Sequence, residues 1–297
     1  MFNKTITLSN GVVVPQLALG TWLIDNSKVS DAVKAAITLG YRHIDTAQSY
    51  FNEEEVGAAI RKSGVPREEI FITSKVWIEH YGYEECRASV LESQRRLGVD
   101  YIDLMLLHQP FADYYGAYRA LEDLYDEGKL RAIGISNFYP DRMVDIASFA
   151  RIKPMVNQIE THPLNQRVED HAWMEKYGVQ HEAWASFCEG KGGLFTNPVL
   201  MEIGAKYGKS AAQVMLRWAI QRNIVVLPKS THKERMIQNL DVFDFSLTDG
   251  DMAAIAELDT KTSAFFSHTD PNMVEWFVKM VEERKKNQRS ENEKKAW

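Results

Sequence analysis

Four polar residues of this chain close or follow apolar runs. Asp45 ends YRHID, Tyr50 follows it in DTAQSYFNEEEVG, Lys75 ends IFITSK, and His108 ends YIDLMLLH. Runs so rich in Ile, Leu, Val, Phe and Tyr have the pattern of buried strands. A charged group at the end of such a strand has left the core and faces whatever lies beyond it. In a parallel barrel, all strand ends that point one way meet at one mouth. An Asp, a Lys, a Tyr and a His at one mouth would make a proton-donating site.

The chemistry that needs this set is reduction of a carbonyl. An oxygen whose carbon accepts hydride becomes an alkoxide, so a proton must reach it as the hydride arrives. Tyrosine can give that proton, but its reference pKa of about 10 makes it a weak acid at neutral pH. A lysine ammonium alongside stabilises the phenolate and lowers that pKa. An aspartate paired with the lysine holds it in place and keeps it charged. A histidine near the phenol orients the substrate oxygen or relays protons. Tyr50, Lys75, Asp45 and His108 fit these roles in turn. Singly, each has a plainer reading as a packed tyrosine or a satisfied core histidine. The joint pattern favours chemistry.

These residues need elements to carry them. TITLSNGVVVPQLALG reads as a hairpin around Asn10-Gly11, at about residues 5–15. Eight strand candidates follow, at 16–22, 41–45, 70–77, 101–107, 130–136, 154–160, 179–185 and 223–228. Between most of them lie helical patterns. VSDAVKAAITLG repeats its apolar residues near a 3.6 period and stops at Gly40. NEEEVGAAIRKSG starts acidic and ends basic, as the helix dipole prefers. Eight strands alternating with helices predict an α/β fold, a (β/α)8 TIM barrel with an N-terminal hairpin and a C-terminal extension. The GxGxxG that would announce a doubly wound dinucleotide fold is absent. Residues 1–297 read as a single barrel domain, with a C-terminal loop and tail at about 260–297.

Composition narrows the partners. A net charge of -6 argues against nucleic acid. Cys86 and Cys188 form no metal-binding spacing, so no metal site is expected, and a reducing compartment is the simple inference. No signal-peptide or membrane-spanning run is evident, which points to a cytoplasmic protein. The tail 279–297 holds seven basic and four acidic residues and reads as a solvated helix.

The sequence resembles the aldo-keto reductase superfamily from about residue 5 to 262. DTAQSYFNE (45–53), SKVW (74–77) and LLHQP (106–110) look like the family's tetrad segments. GISNF (134–138), VNQIETHP (156–163), EAWASF (182–187) and LPKSTHKERMIQN (227–239) look like its cofactor segments. The form is most similar to the prokaryotic branch that includes 2,5-diketo-gluconate reductases. The resemblance implies Tyr50 as general acid and NADPH as cofactor. It implies that Ser136, Asn137 and Gln158 bind the nicotinamide carboxamide and that Trp184 stacks on the ring. Gly20, Thr21 and Trp22 are expected beside the cofactor. Lys229, Ser230, Arg235 and Asn239 match the segment gripping the 2′-phosphate, a task suited to a guanidinium, an ammonium and a hydroxyl. Trp22 and Trp77 are the expected apolar walls of the substrate pocket, and His108 is expected to orient the carbonyl there.

The chain also departs from the family's pattern. Ala185 and Ser186 replace a common serine and proline, CEGKGG (188–193) replaces a leucine-glycine pattern, Gln109 stands where tryptophan is frequent, and Gln238 where glutamate is. The expected partner is a small aldehyde or ketone, and a monomer is the family default. Two alternatives stand beside reduction. One is a barrel lyase using Lys75 as a Schiff base. The other is an NADPH-binding protein without turnover, since fold alone does not prove catalysis.

Overall fold

The computed structural model describes residues 4–295, with side chains described as far as residue 286. The hairpin pairs β1 (Thr5–Thr7) with β2 (Val13–Pro15) around the expected turn. Eight parallel strands follow in sequential order: β3 (Leu19–Gly20), β4 (His43–Asp45), β5 (Phe71–Val76), β6 (Ile102–Leu107), β7 (Leu130–Ser136), β8 (Val156–Glu160), β9 (Gln180–Trp184) and β10 (Val225–Val226).

Each predicted strand is present, but the first and last shrink to two residues each. Their seam is where the barrel closes. Val226 N donates to Gln16 O at 2.9 Å, and Ala18 N donates to Val226 O at 2.9 Å. At this seam Gly20 donates to Pro228 O, and a Cβ on Gly20 would lie 2.9 Å from Leu227 O. The glycine there is required by the close approach of two backbones.

The helices form as the sequence dictates. In α1 (Asn26–Leu39) the Asp25 side chain accepts from Ser27 N, and Gly40 ends the helix at φ 106°. The periodic Val29, Ala32, Val33, Ala36 and Ile37 are all buried. In α2 (Glu53–Lys62) three glutamates open the first turn and Arg61 and Lys62 close the last, complementing the dipole. The rhythm continues with α3 (Tyr83–Leu97), α4 (Tyr114–Asp126), α5 (Pro140–Phe149) and α6 (Val168–Tyr177). Two helices, α7 (Pro198–Tyr207) and α8 (Ala211–Gln221), lie between β9 and β10. After β10 come α9 (Lys233–Leu240), α10 (Asp249–Ala256) and α11 (Pro271–Lys295). Among the described residues no helix is long and apolar enough to cross a membrane.

Two packings place the site. The hairpin covers the end of the barrel away from the strand C-termini: Ile6 clusters with Ala18, Val225 and Leu227, and Asn10 Nδ2 donates to Arg131 O at the start of β7. The C-terminal segment lies over the mouth instead. Ala264 N donates to Glu160 Oε1, and the Phe277 ring packs 6.0 Å from Trp77 and 5.4 Å from Phe111. The start of the basic tail thus belongs to a packed helix. Side chains beyond 286, and residues 296–297, lie outside the described residues.

Candidate active site

Asp45 ends β4 and Lys75 is the penultimate residue of β5, so both point into the top of the barrel. Lys75 is fully buried. Its Nζ donates to Asp45 Oδ1 at 2.7 Å, to Thr46 O at 2.9 Å and to Tyr50 Oη at 3.3 Å. The three partners use all three ammonium hydrogens. Burial works against the lysine's charge, but Asp45 and Tyr50 overcome it, and its pKa is raised above the ordinary value. It is an ammonium at neutral pH.

Tyr50 is not itself on a strand. It ends a short 3-10 turn, Gln48–Tyr50, between β4 and α2. Gln48 anchors that turn: its Oε1 accepts from Trp77 N at 2.9 Å and its Nε2 donates to Ser93 Oγ at 3.1 Å. The Tyr50 ring lies 4.8 Å from Trp22 and 5.8 Å from His108. The sequence reading expected Lys75 to lower the pKa of Tyr50. The structure places it above the ordinary value instead, because burial outweighs the opposing pull of Lys75. The phenol is therefore a neutral donor at physiological pH, and Lys75 favours the phenolate only as the proton departs.

His108 follows β6 and faces the same space. Its Nδ1 sits 3.4 Å from Ser49 Oγ, and Trp77 packs edge-on at 5.0 Å. Burial, then Lys75 and His268, hold its pKa well below 6.5, so the ring is neutral. A Ser49 hydroxyl donating to Nδ1 would leave the ring's proton on Nε2.

The nicotinamide candidates adjoin His108 and Asp45. Trp184 Nε1 donates to Asn137 Oδ1 at 2.9 Å, and Asn137 Nδ2 donates to His108 O at 3.0 Å. Asn137 adopts φ 65°, which asparagine tolerates better than most residues. Ser136 Oγ donates to Gln158 O at 2.8 Å. Gln158 Nε2 donates to Asp45 Oδ2 at 2.9 Å and to Glu182 Oε2 at 3.0 Å. The amide donors are thus engaged within the protein, and Gln158 Oε1 is the group left to accept. Thr21 is buried, and its hydroxyl donates to Asp45 O at 2.9 Å. Gly20 closes the seam. Both support the site from behind.

Lys229, Ser230, Arg235 and Asn239 lie apart, at the seam end of the mouth. Lys229 Cβ is 3.9 Å from the position of a Cβ on Gly20. Lys229 and Arg235 are exposed, while Ser230 and Asn239 are buried. The Ser230 hydroxyl accepts from His232 N at 3.0 Å, shaping the entry to α9.

Sequence reasoning missed several lining residues. Phe111, His268 and Phe277 join Trp77 in one aromatic wall, whereas Trp276, the neighbour of Phe277 in α11, is 53% exposed. Phe265 packs instead 5.3 Å from Trp184. The loop after β9 is strained in backbone: Ala185, Cys188 and Glu189 all have φ near +50°.

Comparison with known proteins assigns the family and the fold. The model of the aldo/keto reductase family matches residues 16–260. The chain belongs to that family. Over 256 residues it is 48% identical to glyoxal reductase of Bacillus subtilis (strain 168), spanning 86% of this chain and 92% of that protein. Its structure superposes with a TM-score of 0.87 on an aldo-keto reductase from a Medee basin deep-sea metagenome library, at 42% identity, covering 90% of this chain and 99% of that one. The Bombyx mori aldo-keto reductase in complex with NADP superposes at 0.84, with 35% identity, covering 91% and 95%. The family member described here has the fold of a protein solved with that dinucleotide.

Proposed function

We propose that this aldo/keto reductase reduces an aldehyde or ketone with NADPH, and that Tyr50 is the general acid. The observation that carries the reading is the contact of the buried Lys75 with both Asp45 and Tyr50. It supplies a fixed positive charge next to a phenol that must lose a proton.

The donor set fits the cofactor. Trp184 offers a partly exposed ring, Gln158 an unengaged amide oxygen, and Lys229 and Arg235 two exposed cations near the start of α9. When bound, NADPH supplies the hydride. The chain does the rest. His108 Nε2–H and Tyr50 O–H both aim at the carbonyl oxygen and polarise it. Tyr50 passes its proton to that oxygen, and Lys75 stabilises the phenolate left behind. Asp45 keeps Lys75 charged and fixed. The aromatic wall of Trp77, Phe111 and Phe277 keeps water from one side of the reacting carbon.

The similarity to a glyoxal reductase supports small dicarbonyls as first substrates to test. A Schiff-base role for Lys75 is disfavoured, because a buried, ion-paired ammonium is not a free amine. The test is NADPH oxidation over an aldehyde and ketone panel, with Tyr50→Phe as the control. Wild-type turnover that falls at least a hundredfold in Tyr50→Phe, with NADPH binding kept, supports the reading. Equal turnover in both proteins would sink it.

A further inference from the structure

Beneath the Asp45–Lys75 pair lies a carboxyl that the mechanism above does not use. Glu182, in the middle of β9, is fully buried. Its Oε2 accepts from Gln158 Nε2, and its Oε1 has no hydrogen-bond partner among the described residues. The same Gln158 nitrogen donates to Asp45 Oδ2, so two carboxyl groups share one amide. One cation, Lys75, pairs with Asp45 and reaches Glu182 only through its charge. The neighbour in register on β8 is Gln158 and on β10 is Val225, so neither adjoining strand brings a further charge.

The charge count is decisive. If Asp45 and Glu182 were both ionised, the buried group would carry a net negative charge and an unsatisfied carboxylate oxygen, a costly arrangement. Asp45 is the one in contact with Lys75, so the proton belongs on Glu182. Burial pushes the Glu182 carboxyl up to about 7, with Gln158 and Lys75 opposing and Asp45 assisting.

We propose that Glu182 is a positioning residue of the active site: as a neutral acid it locks the Gln158 amide against Asp45, and its ionisation switches the site to a slower form. In the neutral form Gln158 is held with its nitrogen inward and its oxygen toward the mouth. In the ionised form a second negative charge enters the same pocket. It opposes formation of the Tyr50 phenolate, which is the charge that develops as the proton leaves. The rate of carbonyl reduction should therefore fall as pH rises through neutrality.

This inference rests on the Tyr50 reading, and the experiment separates the two. The kcat for reduction is measured from pH 5.5 to 9 in wild type, Glu182→Gln and Glu182→Leu. Glutamine copies the neutral acid, so Glu182→Gln should match wild type at pH 5.5 and lose the alkaline decline, which reaches roughly tenfold by one pH unit above the titration. Glu182→Leu removes the acceptor for Gln158, so its kcat should be low at every pH. An unchanged alkaline limb in Glu182→Gln would overturn the proposal. Infrared difference spectra between wild type and Glu182→Gln give a readout free of activity. A protonated-carboxyl stretch should be present at pH 5.5 and lost by pH 9 in wild type only, and its absence at pH 5.5 would also overturn the proposal. If no carbonyl is reduced at all, the Tyr50 reading fails while the infrared result still decides the state of Glu182.

Discussion

The Trp184 indole donates to Asn137 Oδ1 at 2.9 Å, and through Asn137 Nδ2 it is tied to the backbone oxygen of His108. One asparagine thus joins the wall proposed to stack on nicotinamide to the residue proposed to hold the substrate oxygen. Asn137→Asp keeps the acceptor for Trp184 and tolerates φ 65°. It sets a carboxylate against the His108 carbonyl, however. NADPH affinity, read by fluorescence titration, should stay within a few-fold while kcat falls. Asn137→Ala removes both bonds, and each bond contributes about 1 kcal/mol. It should weaken NADPH binding by roughly tenfold and lower kcat as well. A loss confined to kcat in both variants would break the proposed link.

Asp45 and Lys75 form a buried pair, and breaking one side leaves the other uncompensated. Asp45→Asn should lower thermal stability by about 3 kcal/mol, the usual order for such a loss. It should also lower kcat by two to three orders of magnitude, roughly the range for a disabled general acid. Circular dichroism melts and steady-state kinetics report the two effects separately. Lys75→Met removes the charge with similar side-chain length, so it should lower kcat at least as far.

Much of this site could be seen in the sequence because strand ends are marked twice, by an apolar run and by the polar residue that stops it. Asp45, Lys75 and His108 carry that mark and stand together. Tyr50 was legible only through its motif, since it rests on a 3-10 turn anchored by Gln48, which no periodicity announces. Glu182 hid because a glutamate in a strand reads as a solvent-facing residue; its burial depends on which face of β9 turns inward. Phe277 hid for the opposite reason. Next to Trp276 in one helix, the choice of which ring turns toward Trp77 is made by tertiary packing.

Acid should destabilise the fold through buried neutral histidines. His43 is buried between Pro15 O and Thr73 Oγ1, and burial lowers its pKa to about 4. Burial likewise lowers that of His268 to about 3. A histidine depressed in the native state adds stability that is full above about pH 6.5 and lost as pH falls toward the native value. His43 alone accounts for about 3 kcal/mol between pH 6.5 and 4. Melting temperatures should therefore drop below pH 6, and less steeply in His43→Gln. His108 titrates well below 6.5 too, so it should place no limb in the rate profile near that pH.

Arg235 is exposed on the first turns of α9, with Lys229 before it. A guanidinium fork recognises a phosphate dianion and finds nothing equivalent on a hydroxyl. Arg235→Ala should raise the Michaelis constant for NADPH by roughly tenfold or more, the equivalent of one charge-assisted bond, and leave that for NADH nearly unchanged. Salt should narrow the difference, since the site is open to solvent. Equal effects on the two cofactors would remove Arg235 from the phosphate site.

Phe277 is 4% exposed and touches Trp77, Phe111 and Phe266, so it fastens α11 to the mouth of the barrel. Arg284, two turns further on, lies 5.7 Å from the Trp77 ring and 5.4 Å from Phe51, extending the same contact. Truncating a buried phenylalanine costs about 3 kcal/mol or more. Here that cost falls on the docking of one terminal helix, because the barrel closes without it. Phe277→Ala should therefore keep the cooperative melt of the barrel and leave the Michaelis constant for NADPH unchanged. It should raise the Michaelis constant for bulky aromatic aldehydes several-fold more than that for glyoxal, which is too small to need the far wall. A uniform rise for both carbonyls would mean that α11 supports the site as a whole and does not select the substrate.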